Sequence, residues 1–180
     1  MHPLRHDISQ LGFVVRDLSR ALEHWIESVG VGPFFVAERI EPTGFVHRDD
    51  AHDVAFTAAL ANSGSVQIEL LQPLDDTPSM WREFLDAGRE GLQHIGYWTE
   101  DYDRDFAAML GDGRRVVHHG MLSGGRFSYF EHDFAPGVAI ELSEQSEAKQ
   151  QVFGAIRDAA VDWDGADPRR PFESLPGAGA

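Results

Sequence analysis

Apolar residues recur in the first part of the chain with two different spacings. Between residues 18 and 29 they recur at i, i+3, i+4, i+7, i+8 and i+11, as Leu18, Ala21, Leu22, Trp25, Ile26 and Val29. This spacing predicts an amphipathic helix that Asp17 or Ser19 caps and Gly30 ends. The stretch ISQLGFVV before it is typical of a strand, and so are PFFVAERI, VAFTAALA and SVQIELL after it. The pattern therefore predicts a βαβββ module over residues 1–73.

The same order of elements returns in the second half of the chain. A shift of 84 residues pairs Gln10 with His94, Gly12 with Gly96, Phe13 with Tyr97, Asp17 with Asp101 and Arg20 with Arg104. A shift of 72 residues aligns VQIELLQ with VAIELSE. Between these landmarks, a helix from about Tyr102 to Leu110 and the runs RRVVHHG, RFSYFEH and GVAIELS follow HIGYWT. The repeat predicts a second βαβββ module over residues 92–143.

Three shorter segments lie outside the two modules. Residues 74–91 contain MWREFLDAG, which predicts a linker helix. Residues 144–164 carry one apolar stripe, which predicts a C-terminal amphipathic helix that packs on the body or forms a dimer. Residues 165–180 are rich in Pro, Gly and Ala, so we expect a flexible tail.

Side-chain parity along the strands predicts a shared polar site. Successive side chains of a strand point to opposite faces of the sheet. When the apolar residues of a strand pack under the helices, the residues between them therefore point to the opposite face. Four polar residues then share the face away from the helices: Gln10, Glu69, His94 and Glu141. If two four-stranded sheets curl about a pseudo-twofold axis, this face becomes a concave cleft. We therefore expect an α+β fold in which a curved mixed sheet carries a metal cleft.

The four side chains suit a divalent cation. One amide oxygen, one imidazole and two carboxylates are ligands for hard to borderline cations, and a cation relieves the repulsion between the carboxylates. Taken singly, each residue is more often a solvated or packed side chain. Their equivalence across the repeat favours a metal site.

Composition narrows the partners and the chemistry. A formal net charge of −15 opposes binding to nucleic acid and to anionic membranes. The chain has no cysteine, which excludes thiolate ligands and cysteine nucleophiles and suits a reducing compartment. MHPLRHDIS lacks an apolar leader region, so we expect a cytoplasmic protein.

The motifs QLGFVVRD, QIELLQPL, GLQHIGYWTEDYD and VAIELSE resemble the vicinal oxygen chelate superfamily. This superfamily includes glyoxalase I, methylmalonyl-CoA epimerase, extradiol dioxygenases and bleomycin-resistance proteins. The resemblance covers residues 8–143 and implies the glyoxalase/bleomycin resistance/dioxygenase fold of two βαβββ modules. It implies one divalent ion (Zn, Ni, Co, Mn or Mg) on Gln10, Glu69, His94 and Glu141. The ligand order resembles glyoxalase I, whereas GLQHIGYW and Pro73-Leu74 resemble the epimerases.

The ligand types narrow the expected reaction. Iron dioxygenases need two histidines and a carboxylate, and the four positions offer one histidine, with His6 a minor alternative. A redox-inert metal ion can polarise a carbonyl group, so that the adjacent C–H loses its proton and an enediolate or enolate forms. The resemblance thus implies a metal-dependent lyase, isomerase or epimerase with Glu141 as base and Glu69 as its partner. Its substrate would be a small carbonyl compound, such as a thiol adduct or an acyl-CoA. The alternative is a non-catalytic binding or resistance protein of the same fold.

Residues other than the four expected ligands can also be interpreted from their positions in the pattern. We interpret Arg126 as a contact for an anionic group of the substrate and Trp98 as a wall of the cleft. His118 and His119 are interpreted as surface residues of an edge strand. His47 and His52 are interpreted as solvated residues of the acidic loop HRDDAHD. We expect a homodimer, and the sequence leaves open whether one chain or two build the cleft.

Overall fold

The structure is a computed structural model, and it describes residues 7–122, 125–131 and 137–178. The strands in this part of the chain are β1 (Gln10–Val14), β2 (Phe34–Ile40), β3 (Thr43–His47), β4 (Asp50–Ala51), β5 (Phe56–Ser63), β6 (Val66–Pro73), β7 (Gly91–Thr99), β8 (Arg115–Leu122), β9 (Gly125–Glu131), β10 (Ala139–Glu144) and β11 (Arg169–Pro171). The helices are α1 (Leu18–Glu23), continued by a π-helix (His24–Val29), then α2 (Met80–Asp86), α3 (Tyr102–Gly111), α4 (Glu147–Ala160) and a 3₁₀ turn (Phe172–Ser174). None of these helices is long and apolar enough to cross a membrane.

The two predicted modules lie side by side in one curved mixed sheet. The strand order is β11-β2-β5-β6-β1-β7-β10-β9-β8-β3-β4, so β2-β5-β6-β1 mirrors β8-β9-β10-β7. In each module the first strand pairs in parallel with the last, and the modules join through the antiparallel pair β1·β7. The predicted α+β fold is confirmed. The sheet places equivalent strands of the two modules next to the junction.

The Asp and Arg residues that recur in the two modules have the same local structural role. The Asp17 side chain caps α1 by accepting a hydrogen bond from the backbone N–H of Arg20, and Asp101 caps α3 through Arg104 in the same way. Gly30 ends the first helical stretch at φ 78°, a left-handed conformation that glycine adopts without strain. The two copies of the Asp-Arg spacing are therefore helix caps, which favour the same strand-to-helix turn in each module.

Helices cover both faces of the sheet. On the outer face α1 packs on Ile68 and Leu70, and α3 packs on Leu142. On the concave face α2 inserts Trp81, and α4 lays Ile156 on β5. The segment predicted as a linker is thus part of the core.

The first module contains a pair of strands that the pattern did not predict. β4 and the last residue of β3 lie in the segment interpreted as a solvated acidic loop, and β3 pairs with β8 of the second module. Only Glu41 and Pro42 separate β2 from β3, so the chain passes between the two outer strands of the modules within two residues. The sheet therefore curls far enough to bring these outer strands close together.

The C-terminal segment differs from the expected flexible tail. β11 pairs in parallel with β2, and Leu175 is buried beside Phe35, Leu60 and α4. An apolar contact of this kind offsets the conformational entropy lost when a Pro- and Gly-rich segment becomes ordered. The segment adds to the cover of the concave face.

Candidate functional site

Strand register brings the four predicted side chains together. Gly12 lies beside Glu69 of β6 on one side and beside His94 of β7 on the other. Gly96 lies between Gln10 of β1 and Glu141 of β10 in the same way. Each row thus has a carboxylate and a His or Gln reaching over a glycine. The two rows are repeat-equivalent, and all four residues come from one chain.

His94 is the centre of this cluster. Its Nε2 lies 3.1 Å from Oε2 of Glu69 and 3.4 Å from Oε2 of Glu141. The hydroxyl of Tyr129 lies 3.4 Å from the same nitrogen. The ring is fully buried, and the two carboxylate side chains are 13% and 10% exposed. Three polar groups therefore meet around one imidazole nitrogen at the bottom of the cleft.

Two glutamines orient the cluster from behind. Nδ1 of His94 lies 2.9 Å from Oε1 of the buried Gln93, and this network assigns the ring proton to Nδ1. Nε2 then presents a lone pair to the carboxylates. Nε2 of Gln10 donates to Oε1 of Gln67 at 2.9 Å, which leaves the Gln10 carbonyl oxygen as its other polar atom. The four predicted residues therefore present acceptors to one another.

One hydrogen-bond acceptor of the cluster has no donor in the part of the chain that the structure describes. Oε2 of Glu141 is buried and accepts no hydrogen bond within the described residues. Burial raises the pKa of the Glu141 carboxyl; His94 opposes this and Glu69 adds to it. Burial likewise raises the pKa of Tyr129, and the charges of Glu141 and Glu69 add to the shift. A buried set of acceptors of this kind is stabilised by a proton or by a cation.

The donor set fits a divalent cation. Two oxygen or nitrogen ligands of one octahedral ion at about 2.1 Å lie roughly 3 Å apart, which is the separation of the polar atoms around His94. Gly12 and Gly96 leave the space above the strands free of Cβ atoms. As arranged here, however, Nε2 of His94 lies in direct contact with Glu69. No group of three or more His, Cys, Asp or Glu in the described residues has the form of a metal centre. A cation would have to replace the contact between Glu69 and His94.

A cavity of about 370 Å³ opens above the cluster. Gln10, Glu69 and Glu141 contribute polar atoms to its wall, and aromatic side chains contribute much of the rest. Trp98 is one of these, as its parity predicted, and its ring lies 4.7 Å from that of Phe153 on α4. A mostly apolar cavity with a few converging polar groups is typical of a site for a small molecule.

Three residues of the site were not among those predicted from the sequence. Tyr129 on β9 contacts His94, and Trp81 on α2 packs edge-on against Tyr129. Lys149 on α4 reaches into the cavity and donates to Oγ of Ser143 at 3.0 Å. Tyr129 alternates with buried Phe127, so parity places it in the cleft once the direction of β9 is known. Trp81 and Lys149 lie on helices whose position on the concave face no local pattern predicts.

Arg126 lies elsewhere. Its guanidinium pairs with Glu144 at 2.9 Å and Asp103 at 2.6 Å and stacks on Tyr102, on the face that α3 covers. The ion pair lowers the pKa of Glu144 to about 2. Residues at even positions of β9 point away from the cleft, because Phe127 and Tyr129 occupy it. The structure therefore gives Arg126 a role in packing α3 and does not bring it to the cavity.

Two histidine assignments are wrong, and one lies outside the described residues. His118 is fully buried among the rings of Phe45, Trp81 and Tyr129, because β3 and α2 cover the strand that was expected to be an edge. His47 is 3% exposed and lies 3.1 Å from Glu83 on α2. His119 is exposed, as expected. His6 belongs to the residues that the structure does not describe.

Comparison with known sequences finds a family and no individual relative. The sequence model of the Glyoxalase/Bleomycin resistance protein/Dioxygenase superfamily matches residues 9–130. No curated protein matches the chain.

Solved structures similar to this chain share its fold. A hypothetical protein from Bacillus halodurans C-125 is 18% identical, with a TM-score of 0.57 over 80% of this chain and 97% of that chain. Methylmalonyl-CoA epimerase from Mycobacterium tuberculosis is 23% identical, with a TM-score of 0.56 over 77% and 87%. A variant of the Streptomyces coelicolor methylmalonyl-CoA epimerase, in complex with 2-nitronate-propionyl-CoA, is 22% identical, with a TM-score of 0.54 over 79% and 96%. At these identities the likeness concerns the fold alone.

Proposed function

Because the chain belongs to the Glyoxalase/Bleomycin resistance protein/Dioxygenase superfamily, we propose that its cleft moves a proton on the carbon next to a carbonyl group. The observation that carries the proposal is the convergence of Glu69, Glu141 and His94, with Oε2 of Glu141 buried and lacking a donor. The reaction is that of a glyoxalase-like lyase, isomerase or epimerase.

Glu141 is the base of this proposal. Glu141 lines the cavity, and burial raises the pKa of its carboxyl, so this group holds a proton more strongly than an exposed carboxylate does. Glu69 occupies the equivalent position of the other row, across His94. A substrate carbon between the two carboxylates exposes one face to each. Glu141 can then take a proton from one face while Glu69 returns it to the other or to a neighbouring atom.

The remaining polar groups of the cluster hold side chains in place or stabilise negative charge. Gln93 fixes the ring of His94, and Gln67 fixes the amide of Gln10, so that neither needs to reorganise when a substrate binds. The Tyr129 hydroxyl can donate to an oxygen that gains negative charge beside His94. Gln10, Glu69, His94 and Glu141 would hold one divalent ion. When bound, that ion would polarise the carbonyl and make the adjacent C–H more acidic.

The test measures the metal content of the protein and the rate of proton exchange at the probe compounds. Elemental analysis of protein dialysed with and without chelator should find near one divalent ion per chain, lost in Glu69→Ala and in Glu141→Ala. Proton NMR in D₂O then follows exchange at C2 of acetoacetate and of acetoacetamide. We expect faster exchange with the wild type and a loss of about 100-fold or more in Glu141→Gln, the scale of general-base catalysis.

Glu100→Gln is the matched control, because Glu100 is an exposed carboxylate at the end of β7. Its exchange rate should equal that of the wild type. Full exchange activity in Glu141→Gln would remove the proposed role of this residue. Tight binding of carbonyl compounds without any exchange would instead support a non-catalytic binding protein of the same fold. Acyl-CoA thioesters are the next compounds to screen, since similar structures contain methylmalonyl-CoA and 2-nitronate-propionyl-CoA.

The cytoplasmic location and the homodimer stay predictions.

A further inference from the structure

Lys149 carries a positive charge into the wall of the cavity. It lies in the first turn of α4, and only 6% of the residue is exposed. Its ammonium donates to Oγ of Ser143, a neutral partner. Within the described residues no carboxylate oxygen comes within 4.0 Å of it, which distinguishes it from the arginines that form ion pairs on the surface. The ammonium is thus buried without a contacting counter-charge.

Such an arrangement is unfavourable unless something compensates it. A buried ammonium loses the hydration of its charge, and one neutral hydrogen bond replaces little of it. Burial lowers the pKa of Lys149, although the more distant Glu141 and Glu144 oppose that shift. Lysine side chains with long apolar stems usually extend to water instead. The position of this one therefore points to a function in the cavity.

The ammonium stands at a defined place relative to the proposed reaction centre. Ser143, which holds it, is two residues from Glu141 on β10 and points to the same face, about 7 Å further along the strand. Trp98 pairs with Ser143 in the register of β7 and β10, and it stacks with Phe153 of α4. Ser143, Lys149, Trp98 and Phe153 therefore form one end of the cavity, next to Glu141.

We propose that Lys149 binds an anionic group of the substrate, so that the protein selects carbonyl compounds that also carry a carboxylate. The proposal rests on the proposed function for the position of the carbonyl. A carboxylate bound to Lys149 replaces its lost hydration with a charge-assisted hydrogen bond and orients the acidic carbon toward Glu141. Lys149 lies on α4, which follows the last strand of the second βαβββ module, so an element outside the two modules supplies this selectivity.

The experiment compares two probes that differ in charge. Acetoacetate and acetoacetamide have the same ketone and the same acidic C2, but only acetoacetate is an anion. Isothermal titration calorimetry measures the binding of each probe to the wild type, to Lys149→Met and to Lys149→Arg. We expect the wild type to prefer acetoacetate. Lys149→Met should weaken its binding about 10-fold or more, the effect of losing one hydrogen bond to a charged group, and should change acetoacetamide binding less than about 2-fold. Lys149→Arg should keep the preference.

Thermal unfolding of the same variants separates a binding role from a structural one. If Lys149 served only to balance the charges of the site, Lys149→Met would lower the melting temperature and leave the preference for the anion unchanged. That result overturns the proposal, as does a wild type that binds both probes equally. A melting temperature at or above that of the wild type, with the preference lost, supports it. Binding is measured independently of exchange at C2, so a protein that prefers acetoacetate through Lys149 but exchanges neither probe would overturn the proposed function alone.

Discussion

Gly12 and the ring of His94 are so close that no side chain fits between them. A Cβ atom built on Gly12 would lie 1.8 Å from Cε1 and 1.9 Å from Nε2 of His94. The ring crosses directly over the neighbouring strand to reach Glu69. The equivalent contact of Gly96 is looser, because its Cβ would lie 3.0 Å from Cβ of Gln10 and 3.1 Å from its Oε1.

Gly12→Ala should therefore displace His94 and destabilise the protein. Inserting a methyl group into a packed site costs about 1–3 kcal/mol, and here the ring also loses its contact with Glu69. Urea unfolding measures the change in stability, and elemental analysis after metal loading measures the loss of the ion. Gly96→Ala is the matched control and should have the smaller effect on both. A Gly12→Ala variant with unchanged stability and metal content would contradict the role of this contact.

Mixing two inactive variants should restore no activity. Glu69 and Glu141 reach the same His94 within one chain, so Glu69→Gln and Glu141→Gln each damage every site. C2 exchange by an equimolar mixture, incubated at high protein concentration, should equal the mean of the two separate rates. Recovery toward the wild-type rate would mean that two chains share a site.

His118 should make the protein sensitive to mild acid. Burial lowers the pKa of this ring well below its ordinary value of 6.5, and both ring nitrogens lack hydrogen-bond partners within the described residues. Below pH 6.5 this ring therefore binds a proton in the unfolded chain but not in the folded chain. The free energy of unfolding is at its full value above pH 6.5 and declines as the pH falls below it. Urea unfolding between pH 7.5 and 5.5 should show this decline in the wild type.

His118→Leu should flatten that profile. Leucine has a similar size and no polar atoms, so it also relieves the unpaired ring nitrogens among Phe45, Trp81 and Tyr129. His119→Leu on the exposed side of the same strand should leave the pH profile unchanged. A His118→Leu variant that loses stability with falling pH as steeply as the wild type would contradict the explanation.

Ile156 should be the main anchor of α4. It is completely buried against Leu60 and Leu175, and truncation of such a side chain costs about 2–4 kcal/mol. Ile156→Ala should lower the free energy of unfolding by this amount and weaken acetoacetate binding, because α4 carries Lys149. Val161→Ala is the control, since Val161 is 66% exposed, and its effect should stay within about 0.5 kcal/mol. Equal effects of the two variants would show that α4 does not depend on this contact.

Strand parity predicted the polar cluster because the alternation of side chains is a local property. Gln10, Glu69, His94 and Glu141 needed only the correct strands and an internal repeat to be placed on one face. Lys149 and Trp81 lie on amphipathic helices, and a helical stripe predicts that a helix is buried without specifying which surface covers it. His118 was misplaced for a related reason. Its strand is an edge within its own module, and the strand that covers it belongs to the other module.

The two halves of the chain pair with each other at two places. The strand β3 precedes β5 and β6 of the first half, yet it pairs with β8 of the second half, and β1 pairs with β7. A protease cut between residues 74 and 79, ahead of α2, would leave two fragments joined at the bottom of the cleft by β1 and β7 and at the outer strands by β3 and β8. Such a nicked protein would hold together without a covalent connection, and separately produced fragments would have two independent seams by which to find each other.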